Sequence, residues 1–371
     1  MKRSGIIIAI ALALSSCARE TVPPEFVPLS ITAGGQTKTV LDGTAVKWTD
    51  GDQIAVFDDL HYRNQFDAVS VENFSAVFEG KVAARTTDFY AVYPYSSAVS
   101  ADEGSILLNL PSVQTAAEGT FAEELNISVA HGVKTVDAVK AEGLMFGNTC
   151  ALLKFTIPSI FTSVVEATFT AGNRPLAGTL VYSKDEERLL GVADGAPASN
   201  SVTLRGDLKG GKTYYFVVSP GEIRDFSLTV RDASGVMLTN SSEKSFEAKA
   251  GVIRDLGDVK IVVTPNTRVE HVYSSGAHTG TNIWFDLGLP SGMEQYVESV
   301  EGWISRSGQI EDAYRIISMD RNYGTMKFPY LTLIFPGRNL VPAGNYILHV
   351  RYVIRGLGLF EENIPVVVPA P

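Results

Sequence analysis

From Leu29 onward the chain breaks into short runs rich in Val, Ile, Phe, Tyr and Thr, separated by Gly, Asn, Asp and Pro. Such runs read as strands and turns. Phe226, Leu228 and Val230 alternate with Ser227, Thr229 and Arg231, which gives a strand one dry face and one wet face. Asp232-Ala233-Ser234-Gly235 then turns the chain back into Val236-Met237-Leu238 as a hairpin. Tyr346, Leu348, Val350, Tyr352 and Ile354 repeat the alternation over a longer strand. Asp88-Phe89-Tyr90-Ala91-Val92-Tyr93 is apolar on both faces and stops at Pro94. Thr49-Asp50-Gly51-Asp52 is a turn, with Asp to bond local backbone and Gly free to take positive φ. Residues 98–148 hold several glycines and few clean alternations, and no strand is placed there. The expected fold is all-β, built from antiparallel β-sandwiches.

The 371 residues are enough for two or three domains, each with its own core. With 45% hydrophobic and 19% charged residues, the composition is that of a globular chain. The formal net charge of -10 argues against nucleic acid as a partner, because phosphate contacts need clustered Lys and Arg.

The N-terminus carries a basic head, Lys2 and Arg3, and an apolar run from Ile6 to Leu14. That is the layout of a secretory signal, and the run is too short to span a bilayer as a helix. It ends in Leu14-Ser15-Ser16-Cys17, which resembles the bacterial lipobox. The resemblance implies cleavage before Cys17, acylation of its sulfur, and a Gram-negative envelope. Each buried acyl methylene contributes about 0.8 kcal/mol, so two or three chains hold a protein on a membrane. Residues 1–16 are then the signal peptide and 17–28 a tether stiffened by Pro23, Pro24 and Pro28. The only other cysteine is Cys150, in the apolar run Cys150-Ala151-Leu152-Leu153-Lys154-Phe155. It reads as a small buried hydrophobe, and a lipidated Cys17 leaves it no disulfide partner.

Several stretches resemble the Bacteroidetes fimbrillin-like fimbrial lipoproteins. Val46-Lys47-Trp48-Thr49-Asp50-Gly51-Asp52-Gln53-Ile54-Ala55-Val56-Phe57 is similar to their opening motif. Phe89-Tyr90-Ala91-Val92-Tyr93-Pro94-Tyr95 and Cys150–Phe155 resemble two of their strands. Tyr214-Tyr215-Phe216-Val217-Val218-Ser219-Pro220-Gly221 and Leu256-Gly257-Asp258-Val259 resemble two later ones. The likeness covers about residues 29–263. It implies tandem transthyretin-like fimbrillin sandwiches, 29–148 and 149–263. It also implies a subunit of surface fimbriae that serves adhesion and assembles by β-strand exchange after a cut behind a basic residue. Lys38, Lys47 and Arg63 are all candidates for that cut. The implied partners are other fimbrial subunits, the outer membrane through the lipid, and a host or bacterial surface glycan or protein.

Thr264-Pro265-Asn266-Thr267 reads as a linker to residues 268–371, which the resemblance does not cover. Strand spacing and turn chemistry there point to an immunoglobulin-like sandwich. Pro365 and Pro369 mark Ile364–Val368 as an edge strand of its own domain, with a donor strand as the alternative. A bulky third domain favours a tip or accessory subunit over a stalk subunit. The rival reading is a non-polymerising, glycan-binding surface lipoprotein.

Enzyme signatures are missing: no Walker A, no dinucleotide fingerprint and no Gly-x-Ser-x-Gly. No catalysis, cofactor or metal is expected. The five His are scattered, and His271 and His278 on one hairpin read as loop residues, not ligands. Asp50 and Asp52 read as turn residues ahead of a calcium pair. Asp58-Asp59 and Asp185-Glu186-Glu187 read as solvated hairpin tips. Among the aromatics of the third segment, Trp284, Trp303, Tyr314 and Tyr330 fit core packing, Trp303 as a strand residue facing inward. Tyr323, in Arg321-Asn322-Tyr323-Gly324, is the candidate for ligand contact.

Overall fold

The computed structural model describes residues 24–34, 48–72, 75–233, 235–261, 263–275, 280–290, 292–306, 314–315, 330–334 and 341–370. Among them the chain is almost entirely strand, arranged in six sheets.

The first sheet has eight strands. Its order is Lys140–Met145, Phe26–Gly34, Ser75–Ala83, Arg63–Glu72, Gln53–Phe57, Asp88–Tyr93, Ser128–Val133 and Gly147–Asn148. Strand Phe26–Gly34 runs parallel to Lys140–Met145, and the other neighbours are antiparallel. One face closes over Leu29, Ile31, Ile54, Val56, Phe66 and Phe78. Trp48 plugs this core edge-on to Phe78, Tyr93 and Phe146, at 5.0, 5.1 and 5.3 Å between ring centroids. Gly132 is needed for closure, since a Cβ there would sit 2.4 Å from the Phe89 ring. Strand Asp88–Tyr93 is buried on both faces, as its sequence implies. Phe89, Ala91 and Tyr93 point into this core, while Tyr90 and Val92 point into the next.

Three sheets surround that second core. One joins Thr213–Val218, Ala151–Thr156 and Ile253–Asp258. A second runs Met237–Ala248, Gly221–Asp232, Val164–Thr170, Ser201–Leu208, Val113–Ala117 and Thr120–Phe121. The third runs Arg188–Val192, Ala177–Ser183, Ser105–Leu110 and Ala98–Ala101, with Ala198–Ser199 alongside Ala177–Ser183. The stretch 98–121, where the sequence placed no strand, supplies four of these strands. Their pairing crosses position 148. Leu108 lies opposite Leu180, and Gln114 lies opposite Leu204. Gln114 also ties the sheets together: it donates to the Val217 carbonyl at 2.7 Å and accepts from the Val217 N–H at 3.0 Å.

The last two sheets are Arg268–Ser275, Gly280–Asp286 and Tyr330–Ile334, and Tyr314–Arg315, Val297–Ser305, Gly344–Ile354 and Gly358–Val368. Tyr346, Leu348, Val350, Tyr352 and Ile354 are all buried, and share a core with Ile283 and Phe285 of the other sheet. The final strand lies at the sheet edge with Pro365 opposite Ile347, a place where a residue without an N–H is tolerated.

Candidate functional site

The strand Phe26–Gly34 is the element with the most to offer a partner. It pairs over its whole length with Ser75–Ala83, from Phe26 opposite Ala83 to Gly34 opposite Ser75. On its other side four residues pair with Lys140–Met145. Leu29, Ile31 and Ala33 point inward at 2%, 0% and 0% exposure. Burying the larger two contributes about 1.5–3 kcal/mol each. The strand thus fills a slot with a hydrogen-bonding edge on each side and an apolar floor. Residues 35–47 follow it, so Lys38 and Lys47 lie outside the described residues.

Arg63 opens the strand Arg63–Glu72. Its guanidinium donates to the Tyr95 carbonyl at 2.7 Å and sits 3.9 Å over the Tyr95 ring. Along the chain, Gln53–Phe57 comes between it and the first strand, and its residues Ile54, Ala55, Val56 and Phe57 are all buried.

The motif residues around Thr49–Asp52 are structural. The Thr49 N–H donates to the Asp52 carboxylate at 2.8 Å, the Tyr93 hydroxyl donates to the same group at 3.1 Å, and Gly51 has φ of 94°. Burial, with Asp52 and Glu123 adjacent, pushes the Tyr93 hydroxyl well above the usual phenol range.

Asp58, Trp303 and Trp284 depart from their sequence expectations. Asp58 is not a solvated hairpin tip but is 2% exposed. Its carboxylate accepts from the N–H groups of Leu60, Tyr62 and Ala83 at 3.1, 3.1 and 2.9 Å, and from the Asn64 amide at 2.9 Å. Asp59 beside it is exposed, as expected, and accepts from the Thr87 N–H at 2.8 Å. The hairpin tip of Asp185, Glu186 and Glu187 is exposed, as expected. Trp303 does not face inward. Its neighbour Ile304 takes the core side, and Trp303 stacks at 5.2 Å on His349 on the opposite face. Arg351 lies 5.6 Å from the Trp303 ring and donates to Glu361 at 2.7 Å. His349 bridges Ser305 at 2.8 Å and Asn363 at 2.5 Å. Trp284 is also turned from the core, since Ile283 and Phe285 on either side are fully buried, and it meets His271 edge-on at 6.0 Å. The signal for both was the strict alternation of their strands.

Cys17 and Tyr323, the lipidation and contact candidates, lie outside the described residues. Cys150 is 6% exposed, and burial pushes its thiol up to about 12.

No family model matches the chain, and no curated protein does. Solved structures do overlap with it. A proposed cell adhesion protein from Bacteroides ovatus is 14% identical with a TM-score of 0.42, covering 63% of this chain and 92% of that one. A proposed adhesin from the same species is 11% identical with a TM-score of 0.31, covering 68% and 100%. The major pilin subunit of Bacillus cereus is 10% identical with a TM-score of 0.17, covering 93% and 96%.

Proposed function

We propose that the chain is a fimbrillin-like surface lipoprotein, a tip or accessory subunit of a fimbrium that serves adhesion and assembles by β-strand exchange. The observation that carries this reading is the strand Phe26–Gly34, held between two strands and over an apolar floor, with the chain leaving it at Gly34. One cut in residues 35–47 frees the strand from the rest of the chain. Its departure opens a slot that an alternating strand from another subunit fills, backbone bonds supplying affinity and side chains supplying fit. A cut behind Arg63 fits less well, because it would also remove Gln53–Phe57 from the middle of the sheet. Lys38 and Lys47 are the better candidates.

The test is a denaturing gel of unboiled surface material sheared from native cells. A ladder that collapses on boiling, and that disappears when Lys38 and Lys47 are both changed to Ala, is the expected result. A single species that stays with the membrane sinks the polymer.

The second reading, a glycan-binding lipoprotein that does not polymerise, is favoured by the outward-turned Trp284 and Trp303. Aromatic faces stack on sugar rings. Sugar binding by the full chain on a glycan array, lost in Trp303→Ala, would support it.

A further inference from the structure

The exposed apolar side chains are unevenly placed. Six of the fifteen large ones among the described residues are Phe26, Leu60, Tyr62, Val133, Val136 and Val139, each between 40% and 69% exposed. They sit on segments that meet at one end of the eight-stranded sheet, the end where Phe26–Gly34 begins. Phe26 pairs with Ala83, and its ring packs edge-on to Tyr62 at 5.5 Å. The Ala84 N–H donates to the Glu25 carbonyl at 2.7 Å, and the Ala83 N–H to Asp58 at 2.9 Å. Val133 lies opposite Asp88, and the next residue, Lys134, donates its N–H to the Thr87 carbonyl at 2.8 Å. The Val139 carbonyl accepts from the Ser30 N–H at 2.9 Å, which brings that loop back along the first strand. Concentrated exposed apolar surface marks a contact.

The chain arriving at this end identifies the contact. Only residues 18–25 separate Cys17 from Phe26, a reach of at most about 30 Å. We propose that this end rests on the lipid surface into which acylated Cys17 is inserted, with its aromatic and aliphatic side chains at headgroup depth. The proposal rests on the reading of Cys17 as acylated. A mixed aromatic and aliphatic set suits that depth, where amphipathic rings are favoured. Several carboxylates here are already engaged: Asp58 and Asp59 accept backbone N–H groups, and Asp88 meets His131 at 3.1 Å. Glu25, Asp59, Asp88 and Asp137 are exposed, which limits the contact to a shallow one. The contact adds a second attachment to the acyl chains and fixes how the body stands on the membrane.

The test uses the full acylated chain in vesicles of phosphatidylethanolamine and phosphatidylglycerol. A thiol-reactive, environment-sensitive fluorophore is placed on Val136→Cys or, as a control on the C-terminal sheet, on Val367→Cys. Cys17 is blocked by its acyl chain and Cys150 is buried, so the introduced thiol takes the label. The expected result is a blue shift and loss of emission with doxyl lipids at position 136, and neither at position 367. Emission at 136 that matches 367, on a protein whose intact mass shows the acyl group, overturns the membrane contact alone. A label at 136 shielded from iodide but untouched by doxyl lipids overturns it too, and points to a protein partner. An intact mass without an acyl group overturns the anchoring reading and the contact with it.

Discussion

The hydroxyl of Tyr296 donates to the carboxylate of Asp232, and both residues are buried, at 6% and 4% exposure. The bond joins the short helix Met293–Tyr296, ahead of the strand Val297–Ser305, to the hairpin turn after Gly221–Asp232. Phe161 packs edge-on to Tyr296 at 5.7 Å, and Gly292 lies so near Val236 that a Cβ would stand 2.5 Å from it. The C-terminal sheets are therefore docked on the preceding ones and do not hang from a loose linker. Burial first, and Asp232 second, push the Tyr296 hydroxyl far above the usual phenol range. Tyr296→Phe keeps the ring but removes one donor from a buried carboxylate, at a cost of about 1–3 kcal/mol. Urea unfolding should read that loss, with faster proteolysis at residues 264–267. An unchanged midpoint would show that packing alone holds the joint.

Asp58 organises the end of the first sheet from which the chain runs back to Cys17. Three backbone N–H groups and the Asn64 amide converge on it. Hydrogen bonds to a charged group are each worth about 1.5–3 kcal/mol, and the donors would be stranded without it. Asp58→Ala should cost at least about 3 kcal/mol in chemical denaturation, and Asp58→Asn distinctly less because one amide oxygen still accepts. Equal losses for the two variants would mean that charge, not acceptor geometry, is what the loop needs.

Much of this was readable in the residues. The alternation of Tyr346 to Ile354 gave the buried face of its strand, and Pro365 gave the edge. Asp and Gly at 49–52 gave a turn whose bonds are now seen. What stayed hidden depended on distant partners. Ile106, Leu108 and Leu110 do alternate and are buried, but their strand pairs with Ala177–Ser183, far along the sequence. Asp58 looks like any exposed turn residue until Ala83 approaches from another hairpin. Trp303 reads as a strand residue facing inward, whereas its strand parity turns it outward toward His349. Local chemistry is written in the chain, while long-range pairing is fixed by which surfaces meet.

The Cys150 thiol, pushed up to about 12 by burial, should be inert. Alkylation of Cys150 in the native chain at pH 8 should be undetectable and should become stoichiometric in denaturant. Linkage adds a pH dependence. The folded thiol holds its proton more tightly than the unfolded one, whose ordinary value is 9.0. Between about pH 9 and pH 12 the unfolded state therefore binds fewer protons, and stability falls as pH rises. Cys150→Ala removes that slope. If wild type and variant lose stability in parallel over the window, the thiol does not titrate as its burial implies.

The first strand should outlast the cut that frees it. After cleavage between Gly34 and Trp48, nine residue pairs still join it to Ser75–Ala83 and four to Lys140–Met145, with Ile31 fully buried. Backbone bonds on two sides and an apolar floor hold it without a covalent link, and leaving means exposing the whole slot at once. Limited digestion of the native chain should give a fragment ending before Trp48 that co-elutes with the body on gel filtration. Boiling in detergent should release it. Ile31→Asp puts an unpaired charge in the slot, a penalty of several kcal/mol, and should release the cut strand under native conditions. A wild-type fragment that separates without denaturant would mean the slot empties by itself. Strand exchange would then need no incoming strand to drive it.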